Sequence, residues 1–223
     1  RATETAPVDV QTPTAVPTET LTPPPPASLT ICTSSLPQSL NPYDGLRSQS
    51  KSNILTMTRD SLFLQQEDER LPGIVREVPA LDNGGLALES VELQVGQTVI
   101  DAMGEQVVLK PGAFVRPSGC RATDCAVAYD GQTAFMMDQM IITYAMRDGL
   151  SWSDGNPVRG ADSIFIYQLA VSADPAKAQW ALARTAAYEA ADDRTVVWRG
   201  LPGFSTAQLE QFFWAPLPSH LFS

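Results

Sequence analysis

The chain has 223 residues, 15 Lys and Arg against 25 Asp and Glu for a formal charge of −10, and 43% apolar residues. Affinity for phosphate backbones depends on clustered Lys and Arg, so a sparse, scattered set of cations within an acid excess argues against nucleic acid as a partner. No segment approaches the ~20 uninterrupted apolar residues of a membrane-spanning helix, and the composition is that of an ordinary water-soluble domain.

Residues 1–28 contain seven Pro and seven Thr, ending in Pro23 to Pro26, with Leu21 and three valines as the only large apolar side chains. Such a stretch buries too little surface to offset its ordering entropy. It reads as a disordered, extended Pro/Thr-rich stalk, reaching at most about 90 Å at ~3.1 Å per residue. The chain opens on Arg1 with no apolar leader, so either a signal has been removed or the chain is a fragment. A stalk of this kind fits a surface protein held off a membrane by its N-terminus, through an anchor outside the given sequence.

Residues 29–223 read as one folded region. Leu29, Ile31 and Cys32 make a short β-prone run that stops at the loop Ser34, Ser35, Leu36, Pro37, and Tyr43-Asp44-Gly45 is a turn by composition. Residues 51–66 lack Gly and Pro and place Ile54, Leu55, Thr58, Leu62 and Phe63 near helical spacing, which predicts a helix there. Residues 91–116, with alternating Val91, Leu93 and Val95 and punctuating glycines, predict β-hairpins. A long strand is expected from Thr133 to Met146, and a helix buried on most of its circumference over residues 162–171. Val196 to Trp198 reads as a strand after the turn Asp192-Asp193. A last helix spans about 206–213, before Pro216 and Pro218.

Cys120 and Cys125 enclose a short polar turn and are the expected disulfide, contributing only about 2 kcal/mol because the loop is short. Three reduced thiols are the alternative. The single histidine, His220, lies far from every cysteine, and no second cysteine pair exists, which argues against a metal site. The chain lacks a Gly-x-Ser-x-Gly elbow, a Gly-x-Gly-x-x-Gly turn, a phosphate loop and a paired-histidine motif. No cofactor and no catalytic residue are expected, and the chain does not read as an enzyme. Asp148 and Asp154, flanking Leu150 to Ser153, have the spacing of a turn between strand and helix, not of a calcium loop.

That turn lies within Tyr144-Ala-Met-Arg-Asp-Gly-Leu-Ser-Trp-Ser-Asp-Gly-Asn-Pro-Val158, followed by Ala161-Asp162-Ser163-Ile164-Phe165. The stretch closely resembles the signature of the extracellular solute-binding proteins, family 5, the oligopeptide, dipeptide and nickel receptors of ABC importers. Gln38-Ser-Leu-Asn-Pro42 is similar to the family's Ser-Leu-Asp-Pro after its first strand, and Pro216-Leu-Pro-Ser-His220 to its Pro-x-His. The helix-opening Thr of the family is replaced by Arg159-Gly160, which leaves Gly160 or Asp162 to satisfy the first amides. Residues 83–125, with extra hairpins and the Cys loop, are less typical of it.

The resemblance covers only the first portion of family members. It implies an α/β fold in which this chain supplies most of the first lobe of a two-lobed receptor of the periplasmic-binding-protein type II kind, a mixed sheet with added hairpins. It also implies an extracellular or periplasmic location, a peptide or other small solute as ligand, and an ABC transporter permease as partner. The ligand's main chain would lie along Ser34, Ser35, Leu36 and Pro37, with Tyr43 nearby, recognised by strand-like hydrogen bonds. Trp152, Ser153, Asp154, Gly155, Pro157 and Asp162 are assigned to architecture, with Trp152 as a buried anchor. A stalked adhesive or structural surface domain without a transport role stays open as the alternative, and a secreted hydrolase as a weaker one.

Overall fold

The computed structural model describes residues 30, 32–33, 35–40, 48–132, 134–173 and 179–222. The stalk therefore lies outside the described residues. Two units divide the chain, one of residues 1–34 and one of 35–223. Of the first, Thr30, Cys32 and Thr33 are described; none is in a strand, and Cys32 is an exposed free thiol. The rest of the expected run from Leu29 lies outside the described residues, and so does the turn at Tyr43.

The second unit combines helices with several small sheets, the α/β class expected. Helix α1 (Gln49–Thr58) opens on Ser48, whose hydroxyl accepts from the Lys51 amide at 3.1 Å, the standard way of satisfying an orphan helix donor. The helix expected over 51–66 ends at Thr58. Residues beyond it form strands β1 (Phe63–Gln66) and β2 (Glu69–Pro72), paired as a hairpin whose turn holds Glu67 in the left-handed region, φ 52°. Leu62 and Phe63, which suit a helical face by spacing, pack on the core from this hairpin instead. Short-range periodicity does not separate the two over five residues.

The main sheet contains β3 (Leu86–Leu93), β8 (Phe135–Ala145), β9 (Thr185–Ala190) and β10 (Thr195–Gly200), in the order β3-β8-β10-β9. Each described pairing in it is antiparallel, so the described sheet is not mixed. β3 lies against β8 over its full length, Leu86 opposite Ile142 and Leu93 opposite Phe135. The added hairpins are present: β4 (Thr98–Ile100) with β5 (Gln106–Val108), and β6 (Phe114–Val115) with β7 (Val127–Ala128).

Helix α2 (Gly160–Ala173) and the short α3 (Gln179–Leu182) connect β8 to β9. α2 buries Asp162, Ser163, Ile166 and Ala170, while Leu169 and Val171 are exposed, so burial follows one face and not most of the circumference. Its apolar side packs on β9 and β10, and the large core there centres on Ile142, Tyr144, Trp198 and Phe212. A smaller cluster of Leu93, Val99, Leu109, Val115, Tyr129 and Met137 lies under the hairpins. The last expected helix is a 3-10 turn over Leu209–Phe212, followed by another over Ser219–Leu221, with Pro216 and Pro218 between them.

Candidate functional site

Leu150 to Val158 folds back on itself. Trp152 N–H donates to the Asn156 carbonyl at 2.8 Å, Val158 N–H to that of Leu150 at 3.1 Å, and Gly155, at φ 86°, closes the turn by donating to Trp152. Ser151 and Pro157 face each other as an antiparallel bridge. The Asp154 carboxylate accepts from the Asn156 amide and side chain, both at 3.0 Å, and lies 2.7 Å from His220 Nε2. The imidazole and the Asn156 donors hold the Asp154 pKa down to about 2.

Asp162 ties this turn to the rest. Its Oδ2 accepts from Trp152 Nε1 at 3.2 Å and from the Arg159 amide at 3.0 Å, and its Oδ1 from the Ser219 amide at 3.1 Å and hydroxyl at 2.6 Å. The Arg159 bond is the return half of a capping box, a carboxylate at the third helical position reaching back to the cap amide. Gly160 donates to Asp193 O at 2.7 Å and the Asp162 amide to Arg159 O at 3.0 Å, so these first-turn amides find main-chain acceptors where the family has a Thr hydroxyl. Trp152 is half-buried, not the buried anchor expected: the polar edge of its ring is committed to Asp162, while the ring also lines a cavity. Ser153, Asp154, Gly155 and Pro157 are exposed, whereas Asp162 is buried.

The cavity has a volume of about 300 Å³. Ile74, Leu150, Trp152, Val158 and Pro216 supply its apolar wall, and Thr58, Arg59, Asp60, Ser151 and Ser153 its polar one. Arg59 Nη2 donates to Pro216 O at 2.9 Å, and Asp60 pairs with Arg147 at 3.1 Å. Sequence reasoning missed Arg59 and Asp60, because the wall is assembled from segments remote in the chain and no local pattern marks them.

The proposed ligand loop lies elsewhere on the chain. Ser35 is exposed, with its hydroxyl 3.4 Å from that of Ser50, Leu36 is 91% exposed and Pro37 is half-buried. None of the three lines the cavity at Trp152. Ser34 and Tyr43 lie outside the described residues.

Cys120 and Cys125 form a disulfide. Within its loop Arg121 reaches Asp138 on β8, which also accepts from the Ser118 hydroxyl at 2.6 Å and the Gly119 amide at 3.0 Å. Burial pushes the Asp138 carboxyl up, but Arg121, Ser118 and Gly119 together hold it below the usual carboxylate range. Among the described residues there is no cluster of three or more His, Cys, Asp or Glu able to hold a metal ion, and no helix is long and apolar enough to cross a membrane.

No protein-family model matches the chain, and no curated protein matches it. Among solved structures it is similar to the oligopeptide binding protein from Thermus thermophilus complexed with a pentapeptide, at 15% identity and a TM-score of 0.46. The match covers 78% of this chain and 22% of that one, so the chain spans about a fifth of the length of the structure it matches.

Proposed function

We propose that the chain is part of the solute-capturing component of an ABC importer, a receptor that binds oligopeptides or similar solutes outside the membrane and delivers them to a permease. The observation that carries this reading is spatial. Two of the stretches that resemble family 5, Leu150 to Phe165 and Pro216 to His220, are separated in sequence but bonded to each other through Asp162 and through Asp154 with His220. Three family-like stretches in the right order gain weight when two of them share one buried carboxylate, because a chance match has no reason to converge in space.

The Cys120 to Cys125 bridge supports an oxidising, extracellular or periplasmic compartment. Residues 1–28 serve in this reading as a spacer to a membrane anchor, and the chain provides the first lobe of a type II receptor. Ser34, Ser35, Leu36, Pro37 and Tyr43 hold the ligand's main chain, an arrangement favoured by the exposure of Ser35 and Leu36.

The test is denaturing mass spectrometry of the full-length gene product purified without refolding. Co-purified peptides of varied side chains, displaced by an added di- to pentapeptide mixture, support the reading. If no small molecule is released, and calorimetry shows no heat with that mixture, the receptor assignment fails and an adhesive or structural role takes its place.

A further inference from the structure

The cavity beside Trp152 is not needed by the receptor reading, whose ligand loop lies elsewhere, yet it has the composition of a binding site. We propose that it binds a small monocarboxylate with an aromatic or branched aliphatic tail, the carboxylate on Arg59 and the tail against Trp152. At about 300 Å³ it is at the lower end of the range for small-molecule sites, and its wall is shared about evenly between apolar side chains and polar ones, the division an amphipathic ligand requires.

The charge comes from Arg59. Its guanidinium is positioned by the bond from Nη2 to Pro216 O, and among the described residues it has no carboxylate partner. Asp60 beside it is paired with Arg147 at 3.1 Å. One oriented cation therefore faces the cavity in a chain of net charge −10, with guanidinium donors left over for the bidentate geometry that a carboxylate matches. Ser151 and Ser153 add hydroxyls at the wall.

The tail follows from Trp152. Because the indole N–H is donated to buried Asp162, the ring is fixed in place and presents carbon surface to the cavity, together with Ile74, Leu150 and Val158. A flat or branched apolar group gains contact there without the ring having to reorient, which lowers the ordering cost of binding.

The experiment uses the 223-residue chain, 15N-labelled, with the Trp152 indole N–H resonance assigned by its loss in Trp152→Phe. The probes are 3-phenylpropionate and its uncharged amide. The acid is expected to shift the Trp152 resonance saturably and to bind at least about tenfold more tightly than the amide. Arg59→Gln should remove that preference for the acid, and Ser153→Trp, which fills the cavity from an exposed turn position, should abolish binding of both. The Trp198 and Trp214 resonances report whether each variant is folded. If Arg59→Gln does not fold, the comparison of acid with amide and the Ser153→Trp variant decide. The proposal is overturned by the absence of saturation up to about 20 mM, by equal binding of acid and amide, by a preference for the acid that survives in folded Arg59→Gln, or by binding undiminished in Ser153→Trp. Peptide binding at the 34–37 loop is unaffected by any of these outcomes, so this proposal and the receptor reading fail separately.

Discussion

Asp162 is 4% exposed and accepts four hydrogen bonds, two on each oxygen, from Trp152, Arg159 and Ser219. Asp162→Ala would leave those donors facing a small void, and donors stranded away from water cost more than the bonds themselves are worth. A loss of about 2–4 kcal/mol is expected by chemical denaturation. A loss below about 1 kcal/mol would mean that water reaches the donors. Asp154 works by charge at an exposed position. Its folded pKa, about 2, lies below the ordinary carboxylate value, so the stability it contributes is full above the unfolded pKa and is lost as pH falls through about 2. In His220→Ala the Asp154 titration, followed by carboxyl 13C shifts, should move up towards the ordinary range, and the decline in stability between about pH 4 and 2 should become shallower. An Asp154 titration unmoved in the variant would assign the depression to Asn156 alone. The sequence marked both residues as parts of a turn and a helix start. Pro216 to His220 stood out only as a separate family-like stretch, and nothing showed that it meets these two residues, since a carboxylate that joins stretches more than fifty residues apart leaves no local periodicity.

Elements with a strong single period were legible: the long strand β8, the helix α2 and the hairpin region were all expected near their observed places. Those whose residues serve two patterns were not. Residues 59–66 carry helical spacing, yet Leu62 and Phe63 bury their side chains from a hairpin, and a hydrophobic pattern this short says only that a side chain goes inside. β9, Thr185–Ala190, went unread because its alanines and single tyrosine give little β signal; its strand state is imposed by pairing with β10. The junction of the hairpins with the sheet was equally silent. There Pro202 O accepts from Ile100 at 2.9 Å, Gly203 N–H donates to Asp138 O at 2.8 Å, and Arg116 donates to Gly203 O at 2.8 Å. Gly203 has φ 88°, and a Cβ on it would come within 2.3 Å of Ile100 O and 2.6 Å of Met137. Gly203→Ala therefore combines a left-handed backbone with a clash against main chain, and should cost about 2–4 kcal/mol in denaturant unfolding. A cost under about 1 kcal/mol would show that the junction shifts freely, and that the hairpins are only loosely attached.

At the scale of the second unit, the question is whether two hydrophobic clusters make one cooperative body. The large cluster is built on β8, β10 and α2; the small one gathers under the hairpins, but Leu93 and Met137 belong to it while lying on β3 and β8. The two strands thus run continuously from one cluster into the other. Opening the small cluster would strip the end of the sheet of its cover and break the Gly203 junction, which argues for a single transition. The arrangement provides its own reporters, because Trp198 and Trp214 belong to the large cluster, Trp180 packs on Phe204 and Phe212 within it, and Trp152 is bonded to Asp162 on α2. Leu109, fully buried in the small cluster, belongs to none of these groupings. Leu109→Ala removes most of a buried side chain and should destabilise by about 2–5 kcal/mol. If the body is cooperative, the midpoint of tryptophan fluorescence in denaturant falls by the same amount as that of far-ultraviolet circular dichroism, with an unchanged slope. If instead the hairpins open by themselves, the tryptophan midpoint stays at its wild-type value while part of the circular dichroism signal is lost early, and the second unit would have to be treated as two folding bodies.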